Sequence, residues 1–173
     1  HINEFVRMLH GEGISSFLVT NAQFPKEVAA MEPVTQLYVS IDAATQDSLK
    51  AVDRPLFKDF WDRFLACLEA IRHKPQRTVY RLTLVKTFNM QEVTEYAKLI
   101  SIGRPTFIEI KAVTFVGESK AGSVTMRDVP LHEEVKAFAE QICKYLDGSY
   151  EMASEHEHSC CMLISDTKMK KDG

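Results

Sequence analysis

Apolar residues recur along this chain in two alternating rhythms. Short runs dense in β-branched and aromatic residues occur at SSFLVT (15–20), QLYVSI (36–41), TVYRLTLV (78–85) and TFIEIK (106–111), and each predicts a β-strand. Longer runs with helical spacing lie between them. In LFKDFWDRFLACLEAI (56–71), Phe57, Phe60, Trp61, Phe64, Leu68 and Ile71 fall on one stripe, and Pro55 suits a first helical turn. Val93, Tyr96, Ala97 and Ile100 predict a second helix near 91–101. Leu131, Val135, Phe138, Ile142 and Tyr145 predict a third near 131–146, with Pro130 before it and Glu133 and Glu134 favouring its N-terminal dipole. Shorter helices fit 26–31 and 45–51. Asp147-Gly148 marks a turn, after which SYEMA (149–153) and CMLISD (161–166) predict a closing hairpin.

Strand and helix in strict alternation imply parallel strands covered by helices, an α/β fold in a single domain over 1–173. The strands are nearly continuous in apolar residues, as doubly covered strands are. One connection breaks the rhythm: AVTFVGESKAGSVTMRDV (112–129), with Gly117 and Gly122, is long for a compact domain, and such loops are often functional. The chain opens at His1 without Met, already in a helical pattern (Ile2, Phe5, Val6, Leu9), and reads as a piece of something longer.

Composition narrows the function classes. With 21 basic and 24 acidic residues the net charge is −3, so the chain lacks the basic excess usual in nucleic-acid binders; any RNA contact must come from local patches. No apolar run is long enough to span a bilayer, which predicts no membrane partner. Cys67 and Cys143 lie within helical patterns as buried thiols, and Cys160 and Cys161 are adjacent. No spacing suggests a disulfide framework, which points to a reducing, cytoplasmic setting.

In parallel α/β folds, chemistry gathers at the C-terminal strand ends. There the sequence places Thr20 and Asn21, then Ser40 and Asp42, then Thr83 and Lys86, then Glu109 and Lys111. Singly, each has a plain reading as a turn, a cap or an exposed charge. As a set they ring one rim. Lys86 and Lys111 allow either a nucleophilic amine or a cation facing an anionic substrate. The run EHEHS (155–159) has metal-site composition, and an extended backbone would put His156 and His158 on one side. No further ligand completes a site, so no metal is assigned.

ISSFLVTNAQFP (14–25), EPVTQLYVSIDAAT (32–45), LKAVDRPLFKDFWDRFL (49–65), QRTVYRLTLVK (76–86), FIEIKAVTFVGES (107–119) and EHEHS together closely resemble the radical-SAM portion of the tRNA 4-demethylwyosine synthases. These blocks span nearly the whole chain. The resemblance implies the C-terminal portion of a partial (β/α) barrel, incomplete at its N-terminus and finished by a β-hairpin. It implies S-adenosylmethionine, [4Fe-4S] clusters, and a lyase-type condensation of N1-methylguanosine-37 of tRNA(Phe) with carbons of pyruvate, on the way to wybutosine. Eukaryotic members add an upstream flavodoxin-like domain that binds FMN and supplies electrons; otherwise a separate reductase does so.

By the same resemblance Thr20, Asn21, Ser40 and Asp42 match strand ends that face S-adenosylmethionine. Lys86 and Lys111 look placed to meet pyruvate or the tRNA backbone. Arg54, Lys120, Arg127, His156, Glu157 and His158 are expected near the substrate or tRNA. The family's CxxxCxxC is absent from these 173 residues. A cluster needs its thiolates grouped on a short loop. The chain alone is therefore expected to be inactive, with an unpaired sheet edge. The competing expectation is a non-catalytic RNA- or partner-binding truncated paralogue.

Overall fold

The structure is a computed structural model and describes residues 1–115, 117 and 124–170. Its elements run α1 (Ile2–Gly11), β1 (Phe17–Thr20), α2 (Pro25–Ala30), β2 (Gln36–Ser40), α3 (Gln46–Asp53), α4 (Phe60–Arg72), β3 (Arg77–Leu84), α5 (Val93–Gly103), β4 (Phe107–Ala112), α6 (His132–Tyr145), β5 (Tyr150–His156) and β6 (Cys161–Asp166). The strands form one sheet in the order β1-β2-β3-β4-β6-β5. The first four are parallel, and β6 returns antiparallel beside β4 with β5 outside it. The fold is thus the expected α/β sheet with a terminal hairpin, and it is open rather than closed into a barrel.

Strand period two assigns the two faces. Val39, Tyr80, Ile108 and Ile164 stand in register and are fully or almost fully buried on the face covered by the helices. Helices α2 and α4, α4 and α5, and α5 and α6 pack in succession over that face. Phe60, Phe64, Cys67, Leu68 and Ile71 form the buried stripe of α4. Burial in that stripe pushes the Cys67 thiol up to about 11, which keeps it protonated.

The opposite face is polar towards its upper end. Ser40, Arg81 and Glu109 align across β2, β3 and β4. Thr83, Lys111, Cys161 and His156 align across β3, β4, β6 and β5. Among the described residues β1 has no outer neighbour strand, and Phe17 and Val19 are more than half exposed there.

Two local expectations need correction. Pro55 does not open α4, which begins at Phe60; residues 54–59 form a loop instead, and Arg54 caps α3 in the left-handed region at φ 47°. The segment after His156 is not extended. Glu157–Ser159 makes a 3-10 turn and Cys160 takes φ 46°, because the chain must reverse there to pair β5 with β6. His156 and His158 consequently meet edge to face, 6.1 Å apart, rather than projecting in parallel.

Candidate functional site

The C-terminal ends of the parallel strands carry two adjoining cavities. The first, about 390 Å³, is lined by Asn21, Ser40 and Asp42 from the strand ends, Asp53 and Arg54 from the end of α3, and apolar groups including Phe24 and Phe60. The second, about 420 Å³, lies over β3 and β4 and is lined by Asp42, Arg54, Thr83, Asn89 and Val113 among others. Asp42 and Arg54 stand on the wall between them.

The loops around these cavities are tied down by two side chains that composition and spacing did not single out. Asn89 is buried; its Nδ2 donates to the carbonyls of Asp42 and Thr83, both at 2.8 Å, and its Oδ1 accepts from the Val85 N–H at 2.8 Å. One amide therefore holds the ends of β2 and β3 together. Glu92 does the same for the loop into α3. Its carboxylate accepts from the Ala44 N–H at 2.9 Å, from the Thr45 hydroxyl at 3.2 Å, and from the Ser48 hydroxyl. Thr45 is also the cap of α3, accepting from the Ser48 N–H, so Ser40 and Asp42 are left to face the cavity.

In the first cavity both carboxyls are shifted upward. Burial raises Asp42 above the usual carboxylate range and outweighs the opposing Arg81 charge. Burial, then repulsion from Asp42, raises Asp53 from 3.8 to about 6. A raised folded-state value means that ionising Asp53 costs stability. Its contribution is full below about pH 4 and is lost as pH rises through about 6. Asp53→Asn should therefore melt with the native chain at pH 4 and above it at pH 7.5. Much of the Asp53 surface is open to water, which screens the effect, so the convergence at low pH is the measurement that decides. A constant offset across that range would refute the coupling.

The sequence-predicted residues separate in the structure. Asn21, Ser40, Asp42 and Arg54 come together in the first cavity. Thr20 does not line it; its hydroxyl accepts from the Ala22 N–H at 3.1 Å and closes the turn after β1. Lys111 and Lys86 line neither cavity. Lys111 lies on the open sheet face between Thr83 and Cys161. Lys86 is held by Glu134, Nζ to Oε2 at 2.6 Å. That bond, with the Leu131 N–H, keeps the Glu134 carboxyl below its usual range. Arg127 is exposed on the 3-10 turn Met126–Asp128, beside the Asp128 carboxylate that accepts from Thr125 and Thr87. Lys120 lies outside the described residues.

His156, Glu157 and His158 sit at the hairpin tip. The Cys160 carbonyl accepts from the Ala112 N–H at 3.0 Å, which fixes this tip beside the end of β4, at the same rim as the cavities. His156 Nδ1 meets the Ser159 hydroxyl at 2.6 Å. Glu155 points instead to α6, where it pairs with His132 at 2.7 Å and Lys136 at 3.1 Å.

Two implied cofactors can be tested against these residues. No group of three or more His, Cys, Asp or Glu suited to a metal occurs among the described residues. Cys67 and Cys143 are on α4 and α6, and the adjacent Cys160 and Cys161 are at the start of β6, all four free. This set does not fit an iron–sulfur cluster. S-adenosylmethionine fits better. The first cavity offers a hydroxyl, two amides and two carboxyls for ribose and amino groups, beside aromatic walls.

Comparison with known proteins is consistent over nearly the whole chain. Residues 102–166 match the "Wyosine base formation" family. The S-adenosyl-L-methionine-dependent tRNA 4-demethylwyosine synthase of Danio rerio is 60% identical over 172 residues, covering 99% of this chain and 23% of the relative. The Arabidopsis thaliana synthase is 58% identical over 173 residues, covering 99% of this chain and 27% of the relative. The chain thus spans about a quarter of the length of the curated relatives it matches. Among solved structures, TYW1 with a lysine-pyruvate adduct bound superposes with a TM-score of 0.83 at 26% identity, covering 96% of this chain and 52% of that one. Archaeal TYW1 superposes with a TM-score of 0.76 at 25% identity, covering 96% and 51%. By residue identity along nearly its whole length, and by fold, the chain is similar to one part of the tRNA 4-demethylwyosine synthases.

Proposed function

We propose that these residues form the S-adenosylmethionine- and substrate-facing rim of a radical-SAM tRNA 4-demethylwyosine synthase, acting on N1-methylguanosine-37 of tRNA(Phe) with pyruvate. The observation that carries the reading is identity of 56–60% to such synthases over 99–100% of the chain. When bound, S-adenosylmethionine and a cluster held elsewhere in the parent protein would supply the radical, with electrons from a flavodoxin-like FMN domain or a reductase. The role of this chain is to bind and orient. Asn21, Ser40, Asp42 and Asp53 are the groups for the ribose and amino functions, and Arg54 stands between the two cavities for a carboxylate or phosphate.

The lysine-pyruvate adduct in the related structure gives the two lysines a chemical context. Lys111 is the better placed to meet pyruvate, since its ammonium is on the open sheet face while that of Lys86 is committed to Glu134. In this reading Lys111 pairs with the pyruvate carboxylate, and Lys86 holds the start of α6 against the end of β3. His156, Glu157 and His158 approach the same substrate from the hairpin tip, and Arg127 contributes charge toward the tRNA.

The test uses the full-length parent. Asp42→Asn with Ser40→Ala should raise KM for S-adenosylmethionine about tenfold, read as 5′-deoxyadenosine formed, the loss expected for one or two hydrogen bonds to a bound ligand. Lys111→Ala should raise KM for pyruvate with little change for S-adenosylmethionine. If borohydride no longer traps a pyruvate adduct in that variant, Lys111 is also the nucleophile. An unchanged KM for both ligands would remove these residues from the site.

A further inference from the structure

The loop Arg54–Lys58 carries a feature that cofactor binding does not use. Its outer side forms a separate open groove of about 500 Å³, lined by Lys50, Arg54, Leu56 and Lys58 with Phe57 and Phe60. The same loop, through Arg54 to Phe57, is also a wall of the first cavity. It is therefore the lip between a basic groove and the first cavity.

The loop is built to hold one apolar side chain out in water. Phe57 is anchored: the Arg63 guanidinium lies 4.1 Å over its ring, and Phe24 meets it edge to face at 5.7 Å. Pro55 fixes one backbone angle, and Arg54 is set in the left-handed region. Between them Leu56 is 96% exposed, the most exposed large apolar side chain among the described residues. A single exposed leucine is ordinary on a surface. One at the mouth of a pocket, flanked by cations, has a use. Lys50 and Lys58 are exposed and make no ion pair among the described residues. The nearby Asp59 is neutralised by Arg63 at 2.9 Å.

We infer that this lip receives the RNA substrate: Lys50 and Lys58 hold the phosphates that flank the target nucleotide. Leu56 packs into the stack where that nucleotide leaves it, so that the base turns into the pocket behind. Enzymes that react with a base in a structured nucleic acid must take it out of the stack, and an apolar wedge lowers the cost of doing so. Charge complementarity selects a polyanion over an acidic or neutral protein surface. The inference rests on the tRNA reading proposed above.

The experiment uses the full-length synthase and tRNA carrying 2-aminopurine beside the target nucleotide. Lys50→Ala/Lys58→Ala should weaken tRNA binding about tenfold near 100 mM salt and flatten the salt dependence by about two phosphate contacts. Leu56→Ala should leave tRNA affinity within about threefold, yet remove most of the 2-aminopurine brightening and lower turnover about tenfold, the scale of one lost stacking contact. Lys50→Ala/Lys58→Ala should still cleave S-adenosylmethionine without tRNA, and Leu56→Ala should keep the native melting temperature, which shows that both are folded. A native salt slope in the double variant, or native brightening in Leu56→Ala, overturns the inference and leaves the functional reading standing. A wild-type protein that does not form the tricyclic base overturns both. A Leu56→Ala defect that appears with a protein electron donor and vanishes with a chemical reductant would assign the lip to a protein partner instead, and also overturns it.

Discussion

Asn89→Ala should lower the stability of this chain by about 3 kcal/mol, because one buried N–H and two part-buried carbonyls lose their partner and each orphaned group costs about 1–3 kcal/mol. Truncation strands the Val85 N–H and the carbonyls of Asp42 and Thr83, all within 2.8 Å of the amide. Water admitted from the second cavity can recover part of that cost, since Asn89 is one of its walls. With a urea slope of about 2 kcal/mol/M for a chain of this size, the midpoint should fall by about 1.5 M. Asn89→Asp is the sharper variant. It keeps the acceptor for Val85 but turns an oxygen towards two carbonyl oxygens, so it should be no more stable than Asn89→Ala at pH 7. A midpoint shift under about 0.3 M in both variants would show that the two strand ends are held by something else.

The sequence displayed the frame of this arrangement better than its fastenings. All four parallel strands, the covering helices and the closing hairpin were legible, because their apolar residues are buried on a fixed period: Leu37 and Val39 in β2, Ile108 and Ile110 in β4, Phe64 and Leu68 in α4. Strand-end polar residues were legible as a rim for the same reason, since position after a strand fixes where a side chain can sit. Their contents were less so. Thr20 looks like Asn21 in sequence, but its hydroxyl closes a turn while Asn21 lines the cavity. Asn89 and Glu92 left no periodic signal. Glu92 acts through contacts 44 to 48 residues away in the chain and Asn89 through one 47 residues away, and such partners are set by packing rather than by spacing.

The same limit applied to the loop before α4. The phenylalanine stripe runs smoothly from Phe57 to Phe60, and a helix through both is what periodicity predicts. The chain chooses a loop because Phe57 gains an aromatic edge and a guanidinium outside the helix. That choice exposes Leu56 and forms the lip between groove and pocket. A register error of one helical turn would have hidden the feature on which the RNA inference stands.

The second large effect is expected far from this rim, at Gly103→Ala. Alanine normally gains up to about 1 kcal/mol over glycine in a helix, and Gly103 is the last residue of α5. Here the added carbon would lie 1.7 Å from the Tyr80 hydroxyl, 2.8 Å from its Cζ and 3.0 Å from the Leu68 carbonyl oxygen. Tyr80 is fully buried and cannot swing into solvent, so strain of about 3 kcal/mol, the upper range for overpacking, should override propensity. Tyr80 also brings the means to separate the two causes. Among the described residues its hydroxyl has no hydrogen-bond partner, and burial holds the phenol far above its ordinary range, hence neutral. Tyr80→Phe removes that orphan and should raise stability by about 1 kcal/mol on its own. Placed together with Gly103→Ala, it removes the atom at 1.7 Å but leaves Cζ and the Leu68 carbonyl in the way. The double variant should therefore recover part of the loss and not all of it. Urea denaturation of the four proteins gives the coupling directly. Strict additivity would mean that the Tyr80 ring yields as a whole and that α5 and β3 are not packed at contact here.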